Sequence, residues 1–141
     1  MGSNIADQSI QKLHSHCFAC GKENTNSLHL EFVNTHDGRV TGRCILNEHY
    51  QGYPGYVQGG ITATILDSAM TNCLFQQGIV ALTVRLNISY REPVLVGSEI
   101  VVEASIIKHR NRVYDLEAKI IQDNTVKASA VGRFMVKKDE L

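Results

Sequence analysis

The sequence contains no tryptophan, only two prolines and no excess of either charge, since 14 Lys and Arg residues balance 14 Asp and Glu residues. A neutral chain has no long-range field to attract nucleic acid or an anionic membrane surface, so we expect neither partner. The chain also lacks an apolar run of about 18 residues, the length that could cross a bilayer. Its first 16 residues contain no apolar signal core. These absences predict a protein of the cytoplasm.

Cysteine is scarce as well, with Cys17, Cys20, Cys44 and Cys73 the only four in 141 residues. A chain of this length buries roughly two thirds of its unfolded surface and needs no disulfides for stability. We therefore expect reduced thiols. The last four residues spell Lys-Asp-Glu-Leu, an address that is read only in the secretory pathway, and we interpret them as a charged, solvated tail.

A candidate metal motif lies near the start, where Cys17 and Cys20 follow His14 and His16. Thiolates and imidazoles are the usual ligands of Zn²⁺. Structural zinc sites usually have a second, distant ligand pair, which is missing here, and both histidines lie too near Cys17 to converge easily with it on one ion. The favoured interpretation is a turn closed at Gly21 with no bound metal, and whether the two cysteines bind a metal stays open.

The stretch from 52 to 78 organises the rest of the chain. A glycine-rich loop leads into a predicted helix over 58–77, which ends at Gly78. Asp67 is the only charged residue between Glu48 and Arg85. A helix of about 20 residues is about 30 Å long, and one so apolar is normally buried on most sides. A lone carboxylate inside it is costly unless a functional site uses it.

Period-two alternation of apolar residues surrounds this helix and predicts six strands. Two precede it and four follow it, over 28–34, 40–46, 80–91, 100–106, 114–120 and 126–134. The order β-β-α-β-β-β-β predicts an α+β fold in which one antiparallel sheet curls around a single helix. We predict a flexible segment over 1–16, this one domain over 17–137 and a tail over 138–141.

Apolar residues also occupy positions of the opposite phase, which would lie on the sheet face away from the helix. They are Val33, Ile45, Val101, Ile107, Val113, Ile121, Val131 and Met135. An apolar patch of that size on a monomer is typical of an association surface. We expect a homodimer, and a tetramer built from it.

Three segments resemble the hotdog-fold thioesterases, in the branch typified by phenylacetic-acid-pathway thioesterases and small mammalian acyl-CoA thioesterases. They are GYPGYVQGGITATILDSA at 52–69, ALTVRLNISYREPVLVG at 81–97 and the lead-in HCFACGKENTNSLHLEF at 16–32. In that family two glycines open the helix and an aspartate follows seven residues after the second, as Asp67 follows Gly60 here. The resemblance covers about 17 to 136. It implies a hotdog fold and an acyl-CoA thioesterase that needs no metal or redox cofactor.

The resemblance also implies roles for individual residues. The backbone amides of Gly59 and Gly60 would form an oxyanion hole, to which N–H groups at a helix N-terminus are well suited. Asp67 would act as general base or nucleophile, and Thr83 would position water or the acid. Gln58 stands where the family usually has histidine; its side chain can donate a hydrogen bond but cannot titrate.

Gly60 and Asp67 lie about 10 Å apart along the helix, too far to act on one carbonyl. The resemblance implies that the site forms across a dimer interface, with the aspartate of one subunit facing the glycine amides of the other. Some family members place a water-holding asparagine near Gly52, and Gln51 or Asn47 could substitute for it. The acyl pocket would depend on helix residues such as Met70, Leu74 and Phe75.

The resemblance assigns coenzyme A to two segments, because Arg and Lys at a groove mouth suit its phosphates. One follows Tyr90 and Arg91; the other is the basic turn of Lys108, His109, Arg110 and Arg112. The alternative for this turn is a solvated hairpin tip. The alternative for the whole protein is a non-catalytic module that binds acyl-CoA, which Gln58 could allow. A hotdog dehydratase is disfavoured because its usual Asp and His pairing is missing from this helix.

Overall fold

The computed structural model describes residues 12–137, so the predicted tail over 138–141 lies outside the described residues, as does most of the segment over 1–16. Within that range the elements follow the predicted order, β-β-α-β-β-β-β. The strands are β1 (Glu31–Asn34), β2 (Val40–Ile45), β3 (Ala81–Tyr90), β4 (Glu99–Arg110), β5 (Val113–Gln122) and β6 (Thr125–Val136). The helix α1 is Gly59–Phe75, and a short 3-10 helix, Glu48–Tyr50, precedes it.

Helix α1 is slightly shorter than the predicted 58–77. It begins one residue later because the backbone of Gln58 is extended, and it ends two residues earlier at Phe75. Gly78 adopts φ +81° and donates its N–H to the Phe75 carbonyl, while Ile79 donates to the Leu74 carbonyl, so glycine ends the helix as expected. Ten of the 17 helical residues are buried, which confirms that most sides of the helix are covered.

The six strands form one antiparallel sheet in the order β1-β2-β4-β5-β6-β3. Helix α1 packs against one face of this sheet, which we call the inner face. Fully buried side chains of this face come from the central strands: Val40, Ile100, Val102, Leu116, Ile120, Ala128 and Phe134. The α+β prediction is confirmed, and β1 and β3 are the two edge strands.

Strand β1 is shorter than the predicted 28–34. His29 has φ +55°, a left-handed conformation that interrupts an extended strand. The N–H groups of Leu28 and Leu30 instead bond to the carbonyls of Phe18 and Ala19. The segment before β1 therefore pairs with the N-terminal turn and not with β2.

Strand β3 contains a β-bulge that the alternating sequence conceals. Thr83 lies opposite Phe134 and Arg85 lies opposite Arg133, so Val84 is an extra residue without a partner. Phe134 is fully buried on the inner face, and its partner Thr83 therefore faces α1. The strand predicted over 80–91 is present, but its alternation does not keep one phase: the bulge places Thr83 on the inner face ahead of Leu86, Ile88 and Tyr90.

The outer face of the sheet carries the apolar residues of the opposite phase. Val33, Ile45, Ile107, Val131 and Met135 are between 41% and 64% exposed in the single chain. These apolar side chains are exposed as predicted, although charged residues lie beside some of them, as Glu99 lies opposite Ile45 and Glu117 opposite Val131. The association that they would support stays a prediction. Among the described residues, the helices lack the combination of length and hydropathy needed to cross a membrane.

Candidate active site

Gln58 caps the N-terminus of α1. Its side-chain Oε1 accepts the Ile61 N–H at 3.1 Å, and its backbone N–H donates to the Tyr50 carbonyl at 2.9 Å. Because only the carboxamide oxygen can accept an N–H, this bond fixes the orientation of the side chain. Within residues 12–137 the Nε2 amide has no acceptor, so it remains able to donate to a ligand.

Gly59 and Gly60 follow as the first two helical residues. Neither amide N–H has an acceptor within the described chain, as expected for the first turn of a helix. A Cβ on Gly60 would lie 2.8 Å from Gln58 Oε1, so a side chain there would displace the cap. A Cβ on Gly59 would have room, with the Tyr90 ring as its nearest contact at 3.8 Å. Tyr90 in turn donates its hydroxyl to the Gly59 carbonyl at 2.8 Å.

A groove of about 740 Å³ opens beside this helix start, within the usual size range of small-molecule sites. It is lined by Gly52, Tyr53, Tyr56, Val57, Gln58, Gly59, Thr62, Tyr90, Arg91, Glu92, Pro93 and Val94. The structure thus brings Gln58 and Gly59 together with Tyr90 and Arg91, two of the residues assigned to coenzyme A from the sequence. The walls of the groove are mainly apolar and aromatic.

Asp67 and Thr83 form the second part of the site. The Thr83 hydroxyl donates to Asp67 Oδ1 at 2.6 Å, a short, charge-assisted hydrogen bond. The bulge at Val84 makes this contact possible, because it turns Thr83 toward the helix. Asp67 is half-buried and not enclosed, and its Oδ2 accepts no hydrogen bond from the described residues. One carboxylate oxygen is therefore held by Thr83 and the other can receive a water molecule.

These two parts lie apart within one chain. Asp67 is eight residues after Gly59, or about 12 Å along α1. Thr83 and Tyr90 are separated by seven residues of β3, or about 23 Å at 3.3 Å per residue. The structure therefore brings Asp67 to Thr83 and Gly59 to Tyr90, but it does not bring these two pairs together.

The basic hairpin tip lies at the Thr83 end of the sheet. Met135 of β6 pairs with Leu82 of β3 on one side and with Val113 of β5 on the other. The tip, which connects β4 to β5, therefore lies beside the start of β3. His109 stacks on Tyr114 with ring centroids 3.9 Å apart. Lys108, Arg110 and Arg112 are exposed. Within one chain, the four basic residues of the tip are thus separated from Tyr90 and Arg91 by most of the length of β3.

Both residues considered for the water-holding asparagine make local hydrogen bonds. Asn47 Oδ1 accepts the His49 N–H at 2.9 Å and caps the 3-10 helix. Gln51 Oε1 accepts the Gly55 N–H at 2.9 Å and closes the loop. A carboxamide has a second lone pair and an NH2 group as well, so either residue holding a water stays a prediction.

The helix residues suggested for the acyl pocket do not line the groove of the single chain. Met70, Leu74 and Phe75 are at most 7% exposed and belong to the core, not to the groove. The aromatic walls Tyr53 and Tyr56 were not identified from the sequence. The sequence does show two tyrosines in the loop that leads into the helix N-terminus. The structure adds that both are exposed, which is unusual for aromatic side chains unless a ligand or partner covers them.

One long helix packed against a six-stranded antiparallel sheet is the arrangement of the hotdog fold. Comparison with known proteins agrees: the model of the thioesterase superfamily matches residues 54–129. That match covers more than half of the chain, which therefore belongs to the thioesterase superfamily.

Two relatives of the chain are named acyl-coenzyme A thioesterases. The chain is 36% identical over 89 residues to the acyl-coenzyme A thioesterase THEM4 of Mus musculus, covering 62% of this chain and 38% of that one. It is 32% identical over 90 residues to acyl-coenzyme A thioesterase 13 of Mus musculus, covering 62% and 64%. The matched part thus spans less than two thirds of either relative.

Solved structures share the fold. A thioesterase superfamily protein superposes with a TM-score of 0.78 at 26% identity, covering 83% of this chain and 61% of that one. A phenylacetic acid degradation-related protein of Ralstonia eutropha superposes with a TM-score of 0.75 at 19% identity, covering 94% and 100%. The predicted hotdog fold is confirmed.

A hypothetical thioesterase of Streptococcus pneumoniae was solved with coenzyme A, at a TM-score of 0.72, 15% identity and coverage of 79% and 91%.

Proposed function

We propose that the protein is an acyl-CoA thioesterase, which hydrolyses a CoA thioester to a free acid and coenzyme A. The hydrogen bond between Thr83 and Asp67 is the observation that carries the proposal. It holds one carboxylate oxygen in place and leaves the other open, in a chain whose helix start presents free amides. The names of the relatives support the substrate class.

The proposed chemistry uses only residues of this chain. Asp67 acts as general base: it takes a proton from water as the water oxygen bonds to the thioester carbonyl carbon. In the nucleophilic variant of this mechanism the carboxylate itself attacks and forms a mixed anhydride, which water then hydrolyses. The amides of Gly59 and Gly60, with Gln58 Nε2 beside them, stabilise the negative charge on the carbonyl oxygen. In the general-base route the C–S bond then breaks, and the leaving thiolate takes up the proton that Asp67 received from water.

We further propose that two subunits share each site through the free edge of β3. Antiparallel pairing of two β3 strands about a two-fold axis between Leu86 and Asn87 would place Thr83 of one subunit opposite Tyr90 of its partner. Asp67 would then face the glycine amides of the other subunit. The same rotation would bring the basic hairpin tip of one subunit to the other subunit's groove, where Arg110 and Arg112 would meet the phosphates of coenzyme A. Exposed apolar side chains on β3, Leu82 and Val84, support its burial in a dimer.

The test is thiol release from a panel of CoA esters by the wild type, Asp67→Asn and a matched control, Asp115→Asn. Asp115 lies on the outer face, where it accepts a hydrogen bond from Arg133 that holds the pKa of the carboxyl below its usual range. We expect Asp67→Asn to lower kcat about 10²–10⁴-fold, the usual contribution of a general base. The control should stay close to the wild type.

Equal, background-level release by the wild type and Asp67→Asn would exclude the hydrolase. Calorimetric binding of coenzyme A to an inactive wild type would then favour the non-catalytic acyl-CoA-binding module. In a second arm, Thr83→Val should lower kcat while Thr83→Ser retains it, because only serine keeps the hydroxyl donor.

A further inference from the structure

Three potential metal ligands meet in the N-terminal turn, far from the groove. His14, Cys17 and Cys20, which we call the knuckle cluster, have ligand atoms that all lie within 4.8 Å of one another. The expectation that His14 is too near Cys17 to converge with it is wrong. The chain turns back between them, with the Cys17 N–H bonded to the His14 carbonyl at 3.1 Å, and the ring of His14 reaches Cys20. His16, by contrast, is exposed and does not belong to the cluster.

The spacing of these atoms fits a tetrahedral ion. Zn–S bonds of about 2.3 Å and Zn–N bonds of about 2.0–2.1 Å place two sulfurs about 3.8 Å apart and a sulfur and nitrogen about 3.5 Å apart. His14 Nδ1 lies 3.4 Å from Cys20 Sγ. The other two pairs of ligand atoms lie within 4.8 Å, so movements of about 1 Å would bring all three onto one ion.

The backbone around the cysteines supports their sulfurs. The Ala19 N–H points at Cys17 Sγ at 3.4 Å, and the Gly21 N–H closes the turn on the Cys17 carbonyl at 2.8 Å. A Cβ on Gly21 would lie 2.4 Å from the Cys17 backbone N, so only glycine permits this tight turn. The Asn72 side-chain amide approaches Cys20 Sγ at 3.7 Å. Each sulfur thus has an N–H donor, which is the usual outer support of a metal-bound thiolate.

We propose that His14, Cys17 and Cys20 bind one Zn²⁺ ion through an imidazole and two thiolates, with water in the fourth position. Soft thiolates together with an imidazole favour zinc over magnesium or calcium. Binding releases the two thiol protons to solvent and involves no oxidation or reduction.

The position of the cluster indicates that the ion would support the fold, with three protein ligands in place of the four that structural zinc sites usually have. The His14 ring stacks on Phe75 with centroids 4.2 Å apart, and Asn72 lies about 20 Å along α1 from Gly59. The ion would thus fix the N-terminal turn onto the last turns of the helix. That turn also pairs with the segment leading into β1, through the Leu28 N–H and the Phe18 carbonyl.

The experiment titrates the full, reduced chain with Zn²⁺ and with Co²⁺ after removal of metals by a chelator. The wild type should bind one ion per chain and show thiolate-to-cobalt charge-transfer absorption. Cys17→Ser, Cys20→Ser and His14→Ala should each weaken binding more than 100-fold, which exceeds the 10- to 100-fold typical of outer-shell changes. His16→Ala and Cys44→Ser are the matched controls and should bind like the wild type.

Two measurements on the wild type keep the proposal testable if a variant fails to fold. X-ray absorption at the zinc edge should give two sulfur ligands and lighter N or O ligands for the rest. Zinc should raise the Tm of the wild type in proportion to the logarithm of its free concentration. The proposal is overturned if the reduced wild type takes up no ion, if its ion has no sulfur ligand, or if the cluster variants bind as tightly as the controls.

Discussion

Gly59 is the first helical residue of α1 and carries one of the two amides without an acceptor in the described chain. Proline is well tolerated at this position of a helix, because the N–H that it lacks has no partner within the helix. The preceding residue must then be extended, and Gln58 is, with φ −60° and ψ 138°. Gly59→Pro therefore removes one donor of the proposed oxyanion hole while the helix is retained.

We predict that Gly59→Pro lowers kcat about 10²–10³-fold, the usual effect of losing one oxyanion donor, with unchanged helix content by circular dichroism. Gly59→Ala is the control, because it keeps the N–H and its Cβ has room beside Tyr90. Steady-state kinetics on one CoA ester compares the two. A proline variant as active as the alanine variant would exclude the Gly59 amide from catalysis.

At the residue scale, a motif was needed to single out candidates. Asp67, Gly59 and Gly60 were named from their spacing and from the family that they resemble, and their catalytic roles stay predictions. The role of Gln58 as a cap was less accessible, because a carboxamide can turn toward the helix or toward the groove. Only the Ile61 N–H decides between these orientations.

At the scale of the elements, Gln122 supports the wall of the groove. This residue at the end of β5 is 1% exposed. Its Oε1 accepts the Leu95 N–H at 2.8 Å, and its Nε2 donates to the Leu95 carbonyl at 2.9 Å and to the Ser98 carbonyl at 3.3 Å. The side chain thus anchors the loop between β3 and β4, which carries the groove residues Pro93 and Val94.

Gln122→Leu is predicted to lower the free energy of unfolding by about 1–3 kcal/mol for each buried backbone group that it leaves without a partner. Urea unfolding measures the loss, and a raised KM for CoA esters should accompany it as the loop loosens. Gln76→Leu is the control, since that half-buried amide makes one weak bond to the Phe32 carbonyl at 3.3 Å. An unfolding midpoint equal to that of the wild type would show that the loop does not depend on Gln122.

Element order and strand positions could be predicted because hydrophobic period is a local signal. The bulge at Val84 could not. An apolar residue at the extra position leaves the written alternation intact, so only the pairing with β6 reveals the change of phase. The late start of β1 was hidden for a similar reason: the apolar residues Leu28 and Leu30 are buried as a strand would bury them, but their amides bond elsewhere.

For the whole molecule, the proposed shared site makes a prediction that a site within one chain does not. Asp67→Asn and Gly59→Pro chains, each inactive alone, should form heterodimers with one intact site and one doubly altered site. Random pairing in an equal mixture should restore about a quarter of the wild-type activity, because half of the dimers are then mixed and each has one good site.

Coexpression of the two chains with different affinity tags, followed by tandem purification, isolates the mixed dimer, which should have about half of the wild-type activity. A mixture of either variant with itself is the control. Activity no higher than that of the separate variants would mean that Asp67 and Gly59 act within one subunit. The sequence could suggest this sharing only through family resemblance, since no local pattern records which surfaces of two chains meet.

The shortness of β1 has a consequence for how far such a sheet could grow. Pairing through β3 would consume that edge in both chains and leave a four-residue strand, Glu31–Asn34, at each outer border. This edge strand is short and begins with the exposed carboxylate of Glu31, so it offers few hydrogen bonds to an incoming strand. Lateral addition of chains should therefore stop at two, and a fibre built by sheet extension is not expected even at high protein concentration.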